Sequence, residues 1–207
     1  MAIQLRKALT SDTAAICSVF FDAFRDDPVT LRVFPPALKQ AQDYWLKSID
    51  ADLHDPNVHF VLATDQASSP PGQVIGFAKW VEPRTADSPS SPPYLPWPEG
   101  VDAAFGDKFF GAKAGKHAEI MGDRLHWYLE LLGVRKGYQK RDVGGMLLRW
   151  GLQKSDEAQV EAFLDSSPAG AALYEKHGFQ TVDTVAFEDP GGKYVEKYMV
   201  RQPERKV

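Results

Sequence analysis

The segment from Val134 to Leu148 combines residue types that bind a phosphorylated ligand. An apolar strand predicted at Trp127–Val134 runs into a short basic loop, and Gly144 and Gly145 then open an apolar helix. The free N–H groups of a first helical turn attract anions, and a residue without a Cβ lets a phosphate approach the backbone. Four cations lie within seven residues of this loop: Arg135, Lys136, Lys140 and Arg141. The pattern predicts a site for a ligand with several phosphates; an ordinary turn edged by solvated cations is the alternative.

Two familiar nucleotide motifs are not present in the sequence. No predicted strand is followed by G-x-G-x-x-G, the dinucleotide fingerprint. The stretch Gly111–Lys116 resembles a P-loop but is one residue short between its glycines, and His117 stands where Ser or Thr should hold magnesium. Rossmann and P-loop binding are therefore excluded.

Composition indicates one enzyme-sized domain. A chain of 207 residues with 43% hydrophobic content can bury a single large core, and a net charge of −4 argues against nucleic acid or anionic membrane as the main partner. The single cysteine, Cys17, rules out an intramolecular disulfide and has apolar, helical neighbours, which predicts a buried thiol rather than a nucleophile. Without a membrane-length apolar run or a signal-peptide pattern, we expect a soluble, cytoplasmic protein.

The first 81 residues alternate between helical and extended patterns. A strand is predicted at Ile3–Arg6, then a helix capped by Thr10, Ser11 or Asp12 and stopped by Asp26-Asp27-Pro28. A second helix is predicted from Pro36 to Leu53. The segments Val58–Thr64 and Val74–Val81 predict an antiparallel hairpin.

The composition changes abruptly from Glu82 to Gly100, where six of nineteen residues are proline. Such a segment is neither a central strand nor a helix interior. We expect an ordered surface excursion with Tyr94 and Trp97 packed against the body. The next segment, Asp102–Met121, predicts a helix that covers the sheet, with a lid over a substrate site as the alternative.

The last third predicts a strand at Val160–Leu164, a helix at Ala169–His177 ended by Gly178, and two strands, Phe179–Phe187 and Tyr194–Val200. Together the elements predict a mixed α/β (α+β) fold in which one sheet has helices on both faces.

Two motifs carry a resemblance to a known family. Gln139–Gly145 resembles the acyl-CoA-binding motif [QR]-x-x-G-x-[GA] of the GCN5-related N-acetyltransferase (GNAT) superfamily, and Ala172–Phe179 is similar to its L-Y-E-K-x-G-F stretch. The resemblance covers essentially the whole chain and is strongest from Trp127 to Phe179. It implies a single GNAT domain over residues 1–207, with a largely antiparallel mixed sheet. The excursion and covering helix, 82–125, are then an insertion before the fourth strand.

The resemblance also implies an activity. We expect an acetyl-CoA-dependent N-acetyltransferase that moves the acetyl group directly to an amine, a small molecule, in a ternary complex. A non-catalytic acyl-CoA-binding or regulatory module and a peptide or protein N-acetyltransferase are the alternatives. No metal, nucleic acid or membrane partner is expected, and the oligomeric state is left open.

The same resemblance assigns residues to acetyl-CoA. The strand end would contact the acyl-pantetheine, and the basic loop and the helix start would contact the pyrophosphate. The residues assigned to these contacts are Leu132, Gly133, Val134, Gln139, Lys140, Arg141, Asp142, Val143, Gly144 and Gly145. Ser167 would contact the pantetheine arm. Asp142 stands where the motif has its first glycine. Its carboxylate is unfavourable near a pyrophosphate unless it turns toward solvent, Arg141 or Lys140.

Three residues are the catalytic candidates. Tyr174 matches the family's general acid, with a core tyrosine as the alternative. Glu130 and Tyr128 lie where family members place a base or water-relay residue, and strand alternation predicts Tyr128, Glu130, Leu132 and Val134 on one face. A glutamate in an apolar strand is costly to bury without a partner, so the alternative for Glu130 is a pair with a nearby Arg or Lys.

The remaining aromatic and histidine residues carry weaker predictions. Tyr94, Trp97, Phe105, Phe109 and Phe110 suggest a partly apolar acceptor pocket. The histidines His54, His59, His117 and His126 show no metal-ligand spacing with a third ligand, and His126 is expected at the surface.

Overall fold

The structure is a computed structural model that describes residues 2–85, 95–189 and 192–204. Within these ranges lie seven strands: β1 Ile3–Lys7, β2 Val58–Asp65, β3 Gln73–Val81, β4 His126–Val134, β5 Glu161–Ser166, β6 Gln180–Asp189 and β7 Gly192–Arg201. The same ranges contain six α-helices: α1 Thr13–Ala23, α2 Pro28–Val33, α3 Lys39–His54, α4 Ala103–Met121, α5 Val143–Ala158 and α6 Ala171–Lys176. None of the helices in the described ranges is long and apolar enough to cross a membrane.

The strands form one sheet in the order β1-β2-β3-β4-β5-β7-β6. Every neighbouring pair is antiparallel except β4 and β5, which run parallel. The predicted mixed, largely antiparallel sheet is confirmed. The last strand, β7, lies between β5 and β6, so the sheet is not assembled in chain order.

Helix α5 packs on one face of the sheet, where Leu147 and Leu148 are fully buried against Trp80 and its neighbours. The approach is close, because a Cβ at Gly151 would overlap the Trp80 indole. On the opposite face, α1 and α3 cover β2 and β3 through a second apolar cluster that includes Phe20 and Ile49.

Helix α4 covers the other half of that opposite face. Phe109 packs on Phe187 and Tyr194 at ring-centroid distances of 4.8 and 5.9 Å, and Met121 lies against Phe163 and Tyr198. The predicted covering helix before the fourth strand is confirmed.

The proline-rich excursion is described only from Leu95 onward. Trp97 stacks on Tyr44 and lies 5.7 Å from Phe110 between ring centroids, and its Nε1 donates to Asp107 Oδ1 at 2.7 Å. The prediction that Trp97 packs back on the body is confirmed, whereas Tyr94 lies outside the described residues.

Helix α2 was missed because Asp27-Pro28 was interpreted as a stop. The Asp27 side chain instead accepts from the Thr30 N–H at 2.8 Å and Pro28 occupies the first helical turn, an arrangement that starts a helix. The following helix, α3, begins at Lys39 rather than at Pro36.

Candidate functional site

The parallel strands β4 and β5 separate before they end. Their ladder runs from His126 opposite Glu161 to Leu129 opposite Leu164, and the described residues form no further pair, although β4 continues to Val134. The Arg135 N–H donates to β3 at Ile75 O over 2.9 Å, so by alternation the N–H groups of Leu132 and Val134 point into the gap. The gap opens into a cleft of about 1040 Å³.

A bulge at Glu130 changes which face the strand presents. Lys79 is opposite Leu131 and Trp80 is opposite Leu129, which leaves Glu130 as the extra residue. Leu129, Leu132 and Val134 therefore share the α5 face, whereas Tyr128 lies on the α4 face. The prediction that Tyr128, Glu130, Leu132 and Val134 share one face was wrong, since a one-residue insertion reverses the alternation.

The N-terminus of α5 faces this cleft. The first intrahelical bond runs from the Met146 N–H to Asp142 O at 2.9 Å, so the N–H groups of Val143, Gly144 and Gly145 precede it and point out of the helix end. All three residues line the cleft. This backbone carries the partial positive charge of a helix N-terminus.

Asp142 adopts the left-handed conformation that the motif glycine would take, with φ at 62°. Its Oδ2 accepts from Arg149 Nη2 at 2.8 Å, and this hydrogen bond lowers the pKa of the Asp142 carboxyl. The partner is thus Arg149, two helical turns further on, and not Arg141 or Lys140. Arg149 was not among the residues predicted from sequence, and it also lines the cleft.

The glycines serve packing at least as much as ligand access. A Cβ at Gly145 would overlap the Asp142 carboxylate, and one at Gly144 would lie 3.1 Å from the Leu173 side chain. Gly145 therefore gives space to Asp142, and the approach of a phosphate to its backbone stays a prediction.

The four loop cations divide into two groups. Arg135 is bound to Ser18 Oγ at 2.9 Å and Arg141 stacks on the Tyr138 ring, with its Cζ 5.5 Å from the ring centroid. Lys136 and the exposed Lys140 line the cleft, although Lys136 Nζ lies 3.0 Å from Asp26. Gln139 ties the loop to the strand, since its Nε2 donates to Val134 O at 3.0 Å.

Tyr174 lies on α6 across from the strand end and lines the cleft. It is 8% exposed, and burial, followed by the charges of Asp165 and Glu196, raises the pKa of its hydroxyl. The phenol therefore keeps its proton at neutral pH. Ser167 also lines the cleft.

Glu130 lines the cleft as half of an ion pair. Its Oε1 lies 2.9 Å from Lys79 Nζ, which also contacts Asp52 Oδ2 at 2.7 Å. Burial opposes the charge on Lys79, but Glu130 and Asp52 outweigh it and raise the pKa of the lysine. The lysine partner considered from sequence is therefore present.

Tyr128 lies behind the cleft wall. Its hydroxyl donates to Asp165 Oδ1 at 2.7 Å, and its ring contacts His117 and Phe163. Asp165, to which it is hydrogen-bonded, does line the cleft.

The far part of the cleft is built from side chains. We call it the aromatic half and define it by the rings that line it: Phe24, Phe34, Trp45, Phe109, Phe110 and Tyr194. Phe109 and Phe110 were predicted here, whereas Trp97 and Phe105 pack in the neighbouring core. We call the part formed by residues 132–134 and 139–145 the backbone half.

Two acids of the cleft were missed from sequence, Asp165 and Glu196. Asp165 Oδ2 lies 2.5 Å from Lys113 Nζ, and Glu196 is 3% exposed. A signal was present, because period-2 alternation places Glu196 with Tyr194 and Tyr198 on the inward face of β7.

His126 is half-buried rather than at the surface. Its Nε2 lies 2.6 Å from Nε2 of His117, which stacks on Phe163. In the described ranges no group of three His, Cys, Asp or Glu residues has the geometry to hold a metal ion.

A sequence profile of the Acetyltransferase (GNAT) family matches residues 20–179, more than half of the chain. The chain belongs to this family. The gap between β4 and β5 and the α5 N-terminus lie inside the matched region, so the backbone half is part of the GNAT domain.

Two curated GNAT relatives are similar over part of their length. The probable acyltransferase SID5 of Ajellomyces capsulatus is 32% identical over 95 residues, which are 46% of this chain and 64% of that protein. The uncharacterized N-acetyltransferase YafP of Escherichia coli (strain K12) is 30% identical over 81 residues, 39% of this chain and 51% of that protein. The matches thus span between half and two thirds of these relatives.

Solved GNAT structures share the fold across the whole chain. A histone acetyltransferase HPA2 and related acetyltransferase from Corynebacterium glutamicum superposes with a TM-score of 0.67 at 20% identity, covering 100% of this chain and 99% of that one. The PaiA N-acetyltransferase of Thermoplasma acidophilum, solved in complex with coenzyme A, gives 0.58 at 13% identity, covering 98% and 99%. At these identities the likeness shows the fold.

Proposed function

We propose that this GNAT chain is an acetyl-CoA-dependent N-acetyltransferase that transfers the acetyl group directly to a small amine within a ternary complex. One observation carries the proposal: the end of β4, which β5 leaves without a partner on its side, and the N-terminus of α5 face the same cleft, opposite the buried hydroxyl of Tyr174. A thioester acyl donor with a pyrophosphate needs such an arrangement, with N–H donors at both its carbonyl and its phosphates.

Acetyl-CoA would be held mainly by the backbone half. The N–H groups of Val143, Gly144 and Gly145 suit the pyrophosphate, with Gln139, Lys140, Arg141 and Asp142 around them, and Leu132, Gly133, Val134 and Ser167 suit the pantetheine arm. The carboxylate of Asp142 is not a strong objection, because Arg149 neutralises it. This pairing also removes the main argument for a non-catalytic module.

The chemistry requires a polarised carbonyl, an unprotonated amine and a protonated leaving thiolate. The N–H groups of Leu132 and Val134 would polarise the carbonyl, and Tyr174 would give its proton to the sulfur. Glu130 stays a predicted proton acceptor, acting through water because Lys79 already binds its carboxylate. Tyr128 stays a predicted relay that acts through Asp165.

Direct transfer is supported by the position of the only thiol. Cys17 is 6% exposed on α1, and burial raises its pKa to about 11. A protonated thiol away from the cleft is a poor nucleophile. An acetyl-cysteine intermediate is therefore not needed to explain the site.

A small acceptor is supported by the closure of the aromatic half. Helix α4 brings Phe109, Phe110 and Lys113 over it, and α2 and α3 bring Phe34 and Trp45. Such a concave, ring-lined site suits a compact amine better than an extended peptide.

The test is a panel of amines assayed with acetyl-CoA for thiol release, comprising phenethylamine, methylamine, lysine and a tripeptide with a free N-terminus. In parallel, acetyl-CoA should raise the melting temperature by mass action. No thermal shift at millimolar acetyl-CoA would overturn the proposal. Turnover of the tripeptide alone would replace the small amine with a peptide acceptor.

A further inference from the structure

Two lysine–carboxylate clusters border the cleft and differ in one respect. In the Lys79 cluster, the ammonium contacts both carboxylates, Asp52 at 2.7 Å and Glu130 at 2.9 Å. In the Lys113 cluster, the ammonium contacts Asp165 at 2.5 Å, while Glu196 Oε2 is buried without a hydrogen-bond partner among the described residues. One buried carboxyl oxygen, Glu196 Oε2, is thus left without a partner among the described residues.

Glu196 and Asp165 behave as an acid pair. Glu196 is hydrogen-bonded to Asp165, and two such carboxyls require a shared proton. Burial raises the pKa of Glu196 to about 8; Lys113 opposes this and Asp165 reinforces it. Nothing in the Lys79 cluster has this combination of burial and a missing partner.

The other charged or titratable groups around Glu196 are few. They are Lys113 on α4, Asp165 on β5, Asp27 before α2, Tyr174 on α6, and Tyr194 and Tyr198 on β7. Lys113 is the only cation among them, and Asp165 binds it. The acids therefore outnumber the cations on this wall, which favours a positively charged ligand.

A second buried polar atom lines the same half of the cleft. Trp45 Nε1 has no hydrogen-bond partner within the described residues, and its ring lies beside Phe20 and Phe34. Buried polar groups normally find partners, so two unmet atoms beside one cavity favour a ligand with a polar group there. The surrounding rings mean that this ligand also has an apolar body.

We infer that Glu196 binds the ammonium group of the acceptor in the aromatic half and takes its proton, and that the acceptor is a primary amine on an aromatic or bulky aliphatic body. The inference rests on the proposed function. Glu196 suits the role better than Glu130, because its carboxyl is not committed to a lysine. Entry of a cation favours the ionised form of the pair.

The protons balance over one turnover. Ionised Glu196 takes one proton from the ammonium, and the neutral nitrogen forms its bond to the thioester carbon. The C–S bond then breaks, Tyr174 gives its proton to the sulfur, and the surplus proton on the amide nitrogen returns to the Tyr174 oxygen. Glu196 releases its proton to solvent. The products are the acetamide, CoA thiol and one proton.

The test compares Glu196→Gln with Glu161→Gln. Glu161 is another strand glutamate, but it is only half-buried, is paired with Arg124 and does not line the cleft. With phenethylamine we expect Glu196→Gln to lower kcat/KM by about 100-fold or more and to abolish the rise of kcat/KM toward about pH 8, because a general base is lost. The thermal shift with acetyl-CoA should be unchanged, and Glu161→Gln should match wild type.

A binding measurement separates this inference from the proposed function. In the presence of CoA, phenethylamine should raise the melting temperature of wild type, whereas phenethyl alcohol and methylamine should raise it much less, and Glu196→Gln should lose the response. If no amine supports thiol release but this pattern holds, the proposed function fails and the cation site stands. If Glu196→Gln keeps both wild-type kcat/KM and amine binding, the inference is overturned while the proposed function stands.

Discussion

The two halves of the cleft are made in different ways. The backbone half consists of N–H groups from a strand end and a helix start within fourteen residues of chain, 132–145. The aromatic half consists of side chains from five helices and strands, from Phe24 to Glu196. Backbone donors are the same in any sequence that adopts the fold, so the first half suits a shared donor molecule. Side chains vary freely, so the second half can specify an acceptor.

This difference predicts that the two binding steps can be changed separately. Substitutions in the backbone half should alter the response to acetyl-CoA, and those in the aromatic half should alter only the response to amines. The following variants test that separation.

Tyr174→Phe should give the largest effect, because Tyr174 lies where the halves meet. Loss of the hydroxyl removes a general acid, so kcat should fall by roughly 100- to 10,000-fold with little change in either binding step. Turnover by stopped assay and thermal shifts with each ligand check this. Tyr198→Phe is the control, since Tyr198 is also buried but does not line the cleft. Normal turnover in Tyr174→Phe would make Tyr174 a core residue.

Glu130→Gln should be milder than Glu196→Gln. If the aromatic half supplies the proton acceptor, the loss of the Lys79 pair should cost no more than about tenfold in kcat/KM and keep the acidic limb of the pH profile. Acceptors of different basicity separate the amine's own ionisation from that of the enzyme. If the acidic limb of the pH profile moves or disappears in Glu130→Gln, Glu130 is the base, and the proton acceptor does not belong to the aromatic half.

Lys140→Glu should weaken the binding of acetyl-CoA and leave the binding of amines unchanged. Lys140 is exposed, and each exposed charge contact contributes about 0.2–1 kcal/mol, so we expect up to about a fivefold loss of affinity, shrinking at high salt. Lys108→Glu carries the same charge change on an exposed site outside the cleft and should have no effect. An equal effect of both variants would mean a long-range charge effect rather than a phosphate contact.

The smallest effect is on stability. The pKa of Glu196 is raised from 4.5 to about 8, so the folded chain keeps a proton that the unfolded chain has lost between these values. Stability should therefore fall as pH rises from about 4.5 to 8. Glu196→Gln removes this loss, so near pH 8 it should melt above wild type, by a margin that shrinks as the pH falls toward 4.5. Melting temperatures at several pH values measure this difference. If the melting temperatures of the two proteins change with pH in the same way, the pKa of Glu196 is not raised in the folded chain.

The backbone half could be predicted from sequence because its parts are contiguous. A strand, a basic loop and two glycines appear in one stretch, and their geometry follows from local rules alone. What could not be predicted were the partners. The bulge at Glu130 depends on the pairing with Lys79 and Trp80, and the pairing of Asp142 with Arg149 depends on the turn that Asp142 adopts.

The aromatic half could be predicted only in fragments. Phe109 and Phe110 were identified through composition, but Asp165 and Glu196 lie on strands that meet only in the folded sheet. The inward position of Glu196 follows from alternation, yet the identity of its neighbours requires strand order. The interpretation of Pro28 was wrong for a related reason, since the Asp27-Pro28 pair follows one helix and starts the next.

The position of β7 between β5 and β6 has a consequence for synthesis on the ribosome. When residues up to Phe179 have emerged, the strand end, the α5 N-terminus and Tyr174 are all available, and α5 can dock on β2, β3 and β4. β6 then has no partner among the described strands until β7 follows and inserts beside β5. A chain interrupted before Gly192 would thus carry the proposed acetyl-CoA-binding segment without Glu196, and it would expose the edges of two strands, which favours association with other nascent chains.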